Sequence, residues 1–167
     1  MKVSTIILCL AAILLFGCKS PARQQAEKTA GAIRKTMKAY GPPEVATSEN
    51  GFLMKATIDG KPWKAESMMV INPSNTGFVH GAGAEMQIGF YIDRDHIAIG
   101  KPRELNESHS ADLDLGGDNL LSAREGAYII TYSDNNKIEG TFHFKATSHF
   151  SDKKSEVSKG FFRIMLH

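Results

Sequence analysis

After residue 50 the chain alternates apolar and polar residues with a period of two, and no helical repeat follows. Alternation sends successive side chains to opposite faces of a sheet, so that one face is buried and the other wetted. The clearest instance is Gly51-Phe-Leu-Met-Lys-Ala-Thr-Ile58, then Asp59-Gly60, then Lys61-Pro-Trp-Lys-Ala-Glu66. Asp-Gly between alternating runs predicts a two-residue hairpin loop, because both turn positions need positive φ. That loop sets Ala56 opposite Trp63, Met54 opposite Ala65 and Phe52 opposite Ser67, large against small at each step. Pro62 donates no ladder hydrogen bond, which restricts it to an edge or a bulge.

Further strands are expected at Met86–Ile92, His96–Ile99, Asp112–Leu115, Tyr128–Tyr132, Ile138–Thr147 and Ser158–Leu166, with Arg103–Ser110 read as a loop. In Ile138–Thr147, Phe142, Phe144 and Ala146 share one face while His143, Lys145 and Thr147 share the other. Gly77, Gly81, Gly83 and Gly89 around His80 look like tight turns and bulges. The expectation is an all-β domain over 51–167, an antiparallel β-sandwich or partly open barrel of about eight or nine short strands.

The region before it is different in kind. Met1-Lys2 is a short positive start, and Ile6–Phe16 is an unbroken apolar run of eleven residues. A secretory apolar region runs about 7–15 residues and a membrane span about 20, so residues 1–17 read as a signal peptide. Leu15-Phe16-Gly17-Cys18 resembles the lipobox of bacterial lipoproteins, with Phe16 bulkier than is usual at its position. The resemblance implies cleavage before Cys18 and acyl chains on its sulfur and new amino terminus. At about 0.8 kcal/mol per buried CH₂, two or three chains anchor a protein where one does not. A plain secreted protein and an uncleaved single anchor are the alternatives. With Cys9 removed and Cys18 acylated, no free thiol is left for nucleophilic catalysis or for a cysteine-based zinc site.

Charge divides at the same place. From Lys19 to Pro43 there are six Lys/Arg and one acid, whereas from Glu44 onward thirteen basic residues face seventeen acidic ones. Ala22–Tyr40 has helical composition, with Ala26, Ala30, Ile33, Met37 and Tyr40 on one face and the basic residues opposite. A helix resting on anionic head groups and a solvated spacer are both open readings of it. Gly41-Pro42-Pro43 ends the helix, and the linker runs to Asn50. Residues 18–50 are thus a lipidated cysteine, a basic helical stalk and a linker. A whole-chain charge of +2 excludes a strongly basic nucleic-acid binder.

Two segments carry a wider resemblance. Ala56-x-Ile58-Asp59-Gly60-Lys61-Pro62-Trp63 opens the domain, and Gly140-Thr141-Phe142-x-Phe144 with Gly160-x-Phe162 closes it. Together they resemble a family of small Bacteroidota lipoproteins of unknown function. Lys159 stands where the family's close usually has Asn. The resemblance implies an all-β lipoprotein domain and no known activity. The motif residues are of turn, bulge and core types and transfer no functional role.

Chemical constellations are sparse. Asp93, Asp95 and His96 offer metal-ligand types, but between apolar strands a solvated turn is the ordinary reading. His143 and His149 face outward without a fixed third ligand. Asp112, Asp114 and Asp118 lack the ligand set of a calcium loop. Glu85, Glu104, Glu107 and Glu125 are candidates for a carboxylate pair only if the fold brings two of them together. No nucleophile elbow or phosphate loop is present. No catalytic residue, cofactor or metal is expected.

The functional expectation is a non-enzymatic, lipid-anchored binding or accessory subunit of the cell envelope. Its partners would be the membrane, through the anchor, and an envelope protein or glycan, met through Tyr91, Phe150 or Phe161. The residues after Cys18 resemble neither an inner-membrane retention signal, which would begin with Asp, nor the acidic surface-export signal of some lipoproteins. The expectation is therefore the outer membrane, facing the periplasm rather than the cell surface. An inhibitor or immunity protein against an envelope-targeted toxin, or a small envelope hydrolase, are the alternatives.

Overall fold

A computed structural model describes residues 44–71, 76–93, 96–107, 109–117, 119–149 and 151–166. All of them lie in one compact unit, Pro42–His167. The signal peptide, Cys18, the 22–40 helix and linker residues 41–43 lie outside the described residues, whereas 44–50, expected as linker, are part of this unit.

The described chain forms β1 (Val45–Ala46), β2 (Leu53–Ile58), β3 (Lys61–Lys64), β4 (Ser67–Ile71), β5 (Thr76–Ala82) and β6 (Gln87–Asp93). It continues with β7 (Pro102–Glu104), β8 (Ala111–Asp114), β9 (Leu120–Ser133), β10 (Lys137–Ser148) and β11 (Lys154–Met165). One antiparallel sheet runs β1-β4-β5-β6-β8-β9-β10-β11-β2-β3, with β7 added to β9 off that path. The strands therefore number eleven, and β9, β10 and β11 are long, at 14, 12 and 12 residues. Of the two expected architectures, this single path is the partly open barrel: a sheet curled into a half-barrel.

The curl has a covalent cause. β3 is last in the path and β4 is second, yet only Ala65 and Glu66 separate them in sequence. The two ends of the sheet are therefore tied at one corner. Thr47 secures it, its hydroxyl donating to the Ala65 carbonyl at 2.7 Å and its N–H to the Glu66 carbonyl at 2.9 Å. The Trp63 indole N–H reaches across from β3 and donates to the Met86 carbonyl at 3.2 Å.

The β2–β3 hairpin has the expected register, with Ala56 opposite Trp63, and Asp59 and Gly60 take φ of 48° and 79°. The Ala65 N–H donates to the Met54 carbonyl, so that step holds as well. Phe52 does not meet Ser67, because β4 leaves β3 to pair with β5 and β1. Pro62 sits on β3, an edge strand, as its missing donor requires.

Several segments differ from expectation. Val45–Ala46, within the expected linker, is β1, and Ser67–Ile71, not among the expected strands, is β4. Residues 76–82 are strand β5 and not a run of turns. Gly81, with Gly89 of β6, makes room for large neighbours. A Cβ at Gly81 would lie 2.7 Å from Met54 Sδ, and one at Gly89 would lie 2.5 Å from Phe78 Cζ. The expected strand at His96–Ile99 is absent; Ile97 packs on the core and Ile99 is exposed. Within the expected loop 103–110, Arg103 and Glu104 belong to β7, paired with Tyr128 and Ala127.

Alternation then fills the interior. Ile88, Phe90 and Ile92 of β6, Phe142, Phe144 and Ala146 of β10, and Phe162 and Ile164 of β11 are buried. The Phe90 ring centroid lies 5.0 Å from that of Phe142 and 5.3 Å from that of Phe162. Burying a ring of this kind contributes about 1.5–3 kcal/mol.

Candidate functional site

The long strands produce an open concavity. The outward residues of β9, β10 and β11 near one end, together with the Asp59 turn, line an open groove of about 780 Å³. Cross-strand register explains its lining. Lys145 lies between Glu125 and Glu156, and Thr147 lies between Ser122 and Lys154. The β9–β10 register slips between Lys145 and Thr147, which brings Arg124 to the groove wall. Arg124 Nη1 also pairs with Glu107 at 2.9 Å.

The groove floor holds its acids firmly. The Ser155 hydroxyl donates to Asp59 Oδ2 at 2.5 Å and the Glu156 N–H to Oδ1 at 2.8 Å. Ser155 foremost, then the Glu156 N–H, holds the Asp59 carboxyl below its usual range. Beside Ser122 the opposite occurs. Burial pushes the Asp112 carboxyl up, and the hydrogen bond from Ser122 at 3.0 Å offsets this only partly.

A row of aligned residues leads into the groove. Gly89 pairs with His80 and Asp112, Asp112 with Ser122, and Ser122 with Thr147. Phe78 lies over Gly89, with its ring centroid 4.9 Å from that of Tyr91. His80 Nε2 meets Gln87 Oε1 at 3.1 Å, while its buried Nδ1 has no hydrogen-bond partner among the described residues. Burial holds the His80 imidazole below its usual pKa.

The residues singled out from sequence are scattered. Tyr91 is 37% exposed on the outer face of β6. Phe161 is half-buried on the outer face of β11, with Lys55 Nζ and Arg163 Cζ each 5.8 Å from its ring centroid. Three strands, β8, β9 and β10, separate β6 from β11, so the two rings do not form one patch. Phe150, Asp95, Asp118 and Cys18 lie outside the described residues.

Asp93 ends β6 and is bound by the Arg103 guanidinium, with His96 Nδ1 at 3.2 Å. Burial raises the Asp93 carboxyl, but the bonds from His96 and Arg103 prevail and bring it below its usual range. Asp93 is thus a tied-down strand end; Arg94 and Asp95, the middle of the expected solvated turn, lie outside the described residues. His143 and His149 are exposed, as are Glu85, Glu104, Glu107 and Glu125. Among the described residues no group of three or more His, Cys, Asp or Glu is placed to hold a metal ion. No described helix is long and apolar enough to cross a membrane.

The groove itself was not foreseen. Its parts come from residues 59, 122–125, 145–149 and 154–156, and only the extra length of β9 and β11 joins them. The outward alternation of Lys145 and Thr147 was the available signal. No family model matches the chain, nor does any curated protein or solved structure.

Proposed function

We propose that this chain is a lipoprotein of the bacterial outer membrane, tethered through Cys18, whose half-barrel is a non-catalytic binding module. The observation that carries the reading is the order of parts. A charged start, an apolar run of secretory length and Gly17-Cys18 precede a basic segment and then a well-packed sheet. The resemblance of the opening and closing motifs to small Bacteroidota lipoproteins agrees with it.

Binding, and not catalysis, is supported by how the interior is used. The rings of Phe90, Phe142 and Phe162 occupy the space where a barrel would hold a ligand. Recognition then falls to the outer face, where the groove and its mixed charges suit a polar partner such as an envelope glycan or protein. A tether and a basic stalk would present that face close to the bilayer, on its periplasmic side.

Replacing the acyl acceptor tests the reading. Wild-type protein should fractionate with outer membranes and require detergent for release. Cys18→Ser protein should lose the acyl chains and either become soluble or remain as the uncleaved precursor. Wild-type protein that is soluble in the periplasm would overturn the proposal.

A further inference from the structure

Charge is unevenly spread within the sheet. Leu53–Lys64 and Lys153–Met165 hold seven Lys/Arg and two acids, leaving six Lys/Arg and fifteen acids in the rest of 44–167. These two segments are neighbours, since β11, β2 and β3 are consecutive in the sheet. On their outer face Lys64, Lys55 and Phe161 stand in one cross-strand row. Like charges directly opposite destabilise a sheet, and Lys55 faces Lys64. Glu49 pairs with Lys64 at 2.9 Å and attracts Lys55 more weakly, without an ion pair. Among the described residues Lys55, Lys154 and Lys159 make no ion pair, and all three are exposed.

Lys159 adds an independent sign. It sits at φ 51° where the β11–β2 register slips. Side chains with a Cβ disfavour this left-handed region, which Gly and Asn enter readily. A lysine there projects a cation from a bulge at the expense of stability. Strain of this kind points from structure to use.

We propose that the outer face of β11, β2 and β3 docks on a bilayer surface bearing anionic phosphate headgroups. Away from the groove that Lys154 borders, the sheet face around Phe161 suits a plane better than a small ligand. Phe161, between Lys55 and Arg163, gives the patch an apolar centre with cations around it, the mixture that settles at a membrane interface. The biological setting rests on the tethered reading above, but the docking itself does not require the anchor.

The test uses Cys18→Ser protein, which carries no acyl chain, with phosphatidylglycerol vesicles and phosphatidylcholine vesicles in a sedimentation assay. Binding should be confined to the phosphatidylglycerol vesicles and should weaken with salt. Lys55→Gln, Lys154→Gln and Lys159→Gly should each reduce it about fivefold, and the triple variant about a hundredfold. Lys159→Gly should also raise the thermal midpoint, which separates lost docking from lost folding. Lys101→Gln, an exposed change off this face, should leave binding as it is. Equal binding to both vesicle types would overturn the proposal, as would unchanged binding by the triple variant. So would an effect of Lys101→Gln as large as the others, or binding to dextran sulfate without binding to vesicles. An untethered protein in cells, with vesicle results as expected, would count against the tether alone.

Discussion

At the corner where β3 runs into β4, almost every atom has a fixed neighbour. Trp63 is 8% exposed, its N–H is bonded, and Gly81 and Gly83 are stripped of side chains to admit it. Over the outer ends of β9, β10 and β11 the same kind of strand carries hydroxyls and alternating charges around an open groove. The first region determines that the sheet curls at all. The second inherits its shape from that curl and is free to vary in chemistry. Stability should therefore be concentrated at the corner and spread thinly around the groove.

The difference can be broken most forcefully at Trp63. Trp63→Ala should lower unfolding free energy by about 3–5 kcal/mol, read from urea denaturation. A loss near that of a surface change would remove the corner from the account. Gly81→Ala should follow, at about 1–3 kcal/mol, because its Cβ would press on Met54 Sδ, Ala65 and Trp63. Met54→Ala in the same chain should recover part of that loss, a coupling read from a double-mutant cycle.

Groove substitutions should matter less. Asp59→Ala removes two hydrogen bonds from an exposed turn, for about 1 kcal/mol at neutral pH. The Asp59 carboxyl is held below its usual 3.8 in the fold. Its contribution is therefore present above that value and is lost as pH falls through the depressed folded one. The deficit of Asp59→Ala should accordingly shrink in acid. Asp112→Asn should have the smallest effect and the opposite sign. Burial raises this carboxyl above 3.8, so its folded-state advantage exists below that pH and disappears as pH rises through the folded value. The asparagine variant should be slightly more stable at neutral pH and equal to wild type in acid. Greater stability of the aspartate form at neutral pH would refute this assignment of burial.

What the chain disclosed in advance follows the same division. The Asp59-Gly60 hairpin and the inward set Phe142, Phe144 and Ala146 are legible because turn chemistry and alternation are local. Strand β5 is not, because its Gly81 serves Met54 and Trp63, which lie far from it in sequence. β7 is only three residues long and exists through its pairing with β9. Tyr91 and Phe161 were legible as outward aromatics, but their separation across the sheet depends on strand order, which alternation does not encode. The groove escaped notice because four separated segments build it.

The tether is the central claim, and intact mass spectrometry of the protein purified from membranes in detergent tests it most directly. The account predicts a chain that begins at residue 18 and carries acyl chains on that residue. A chain that begins elsewhere, or one that begins there with an unmodified thiol, would contradict it.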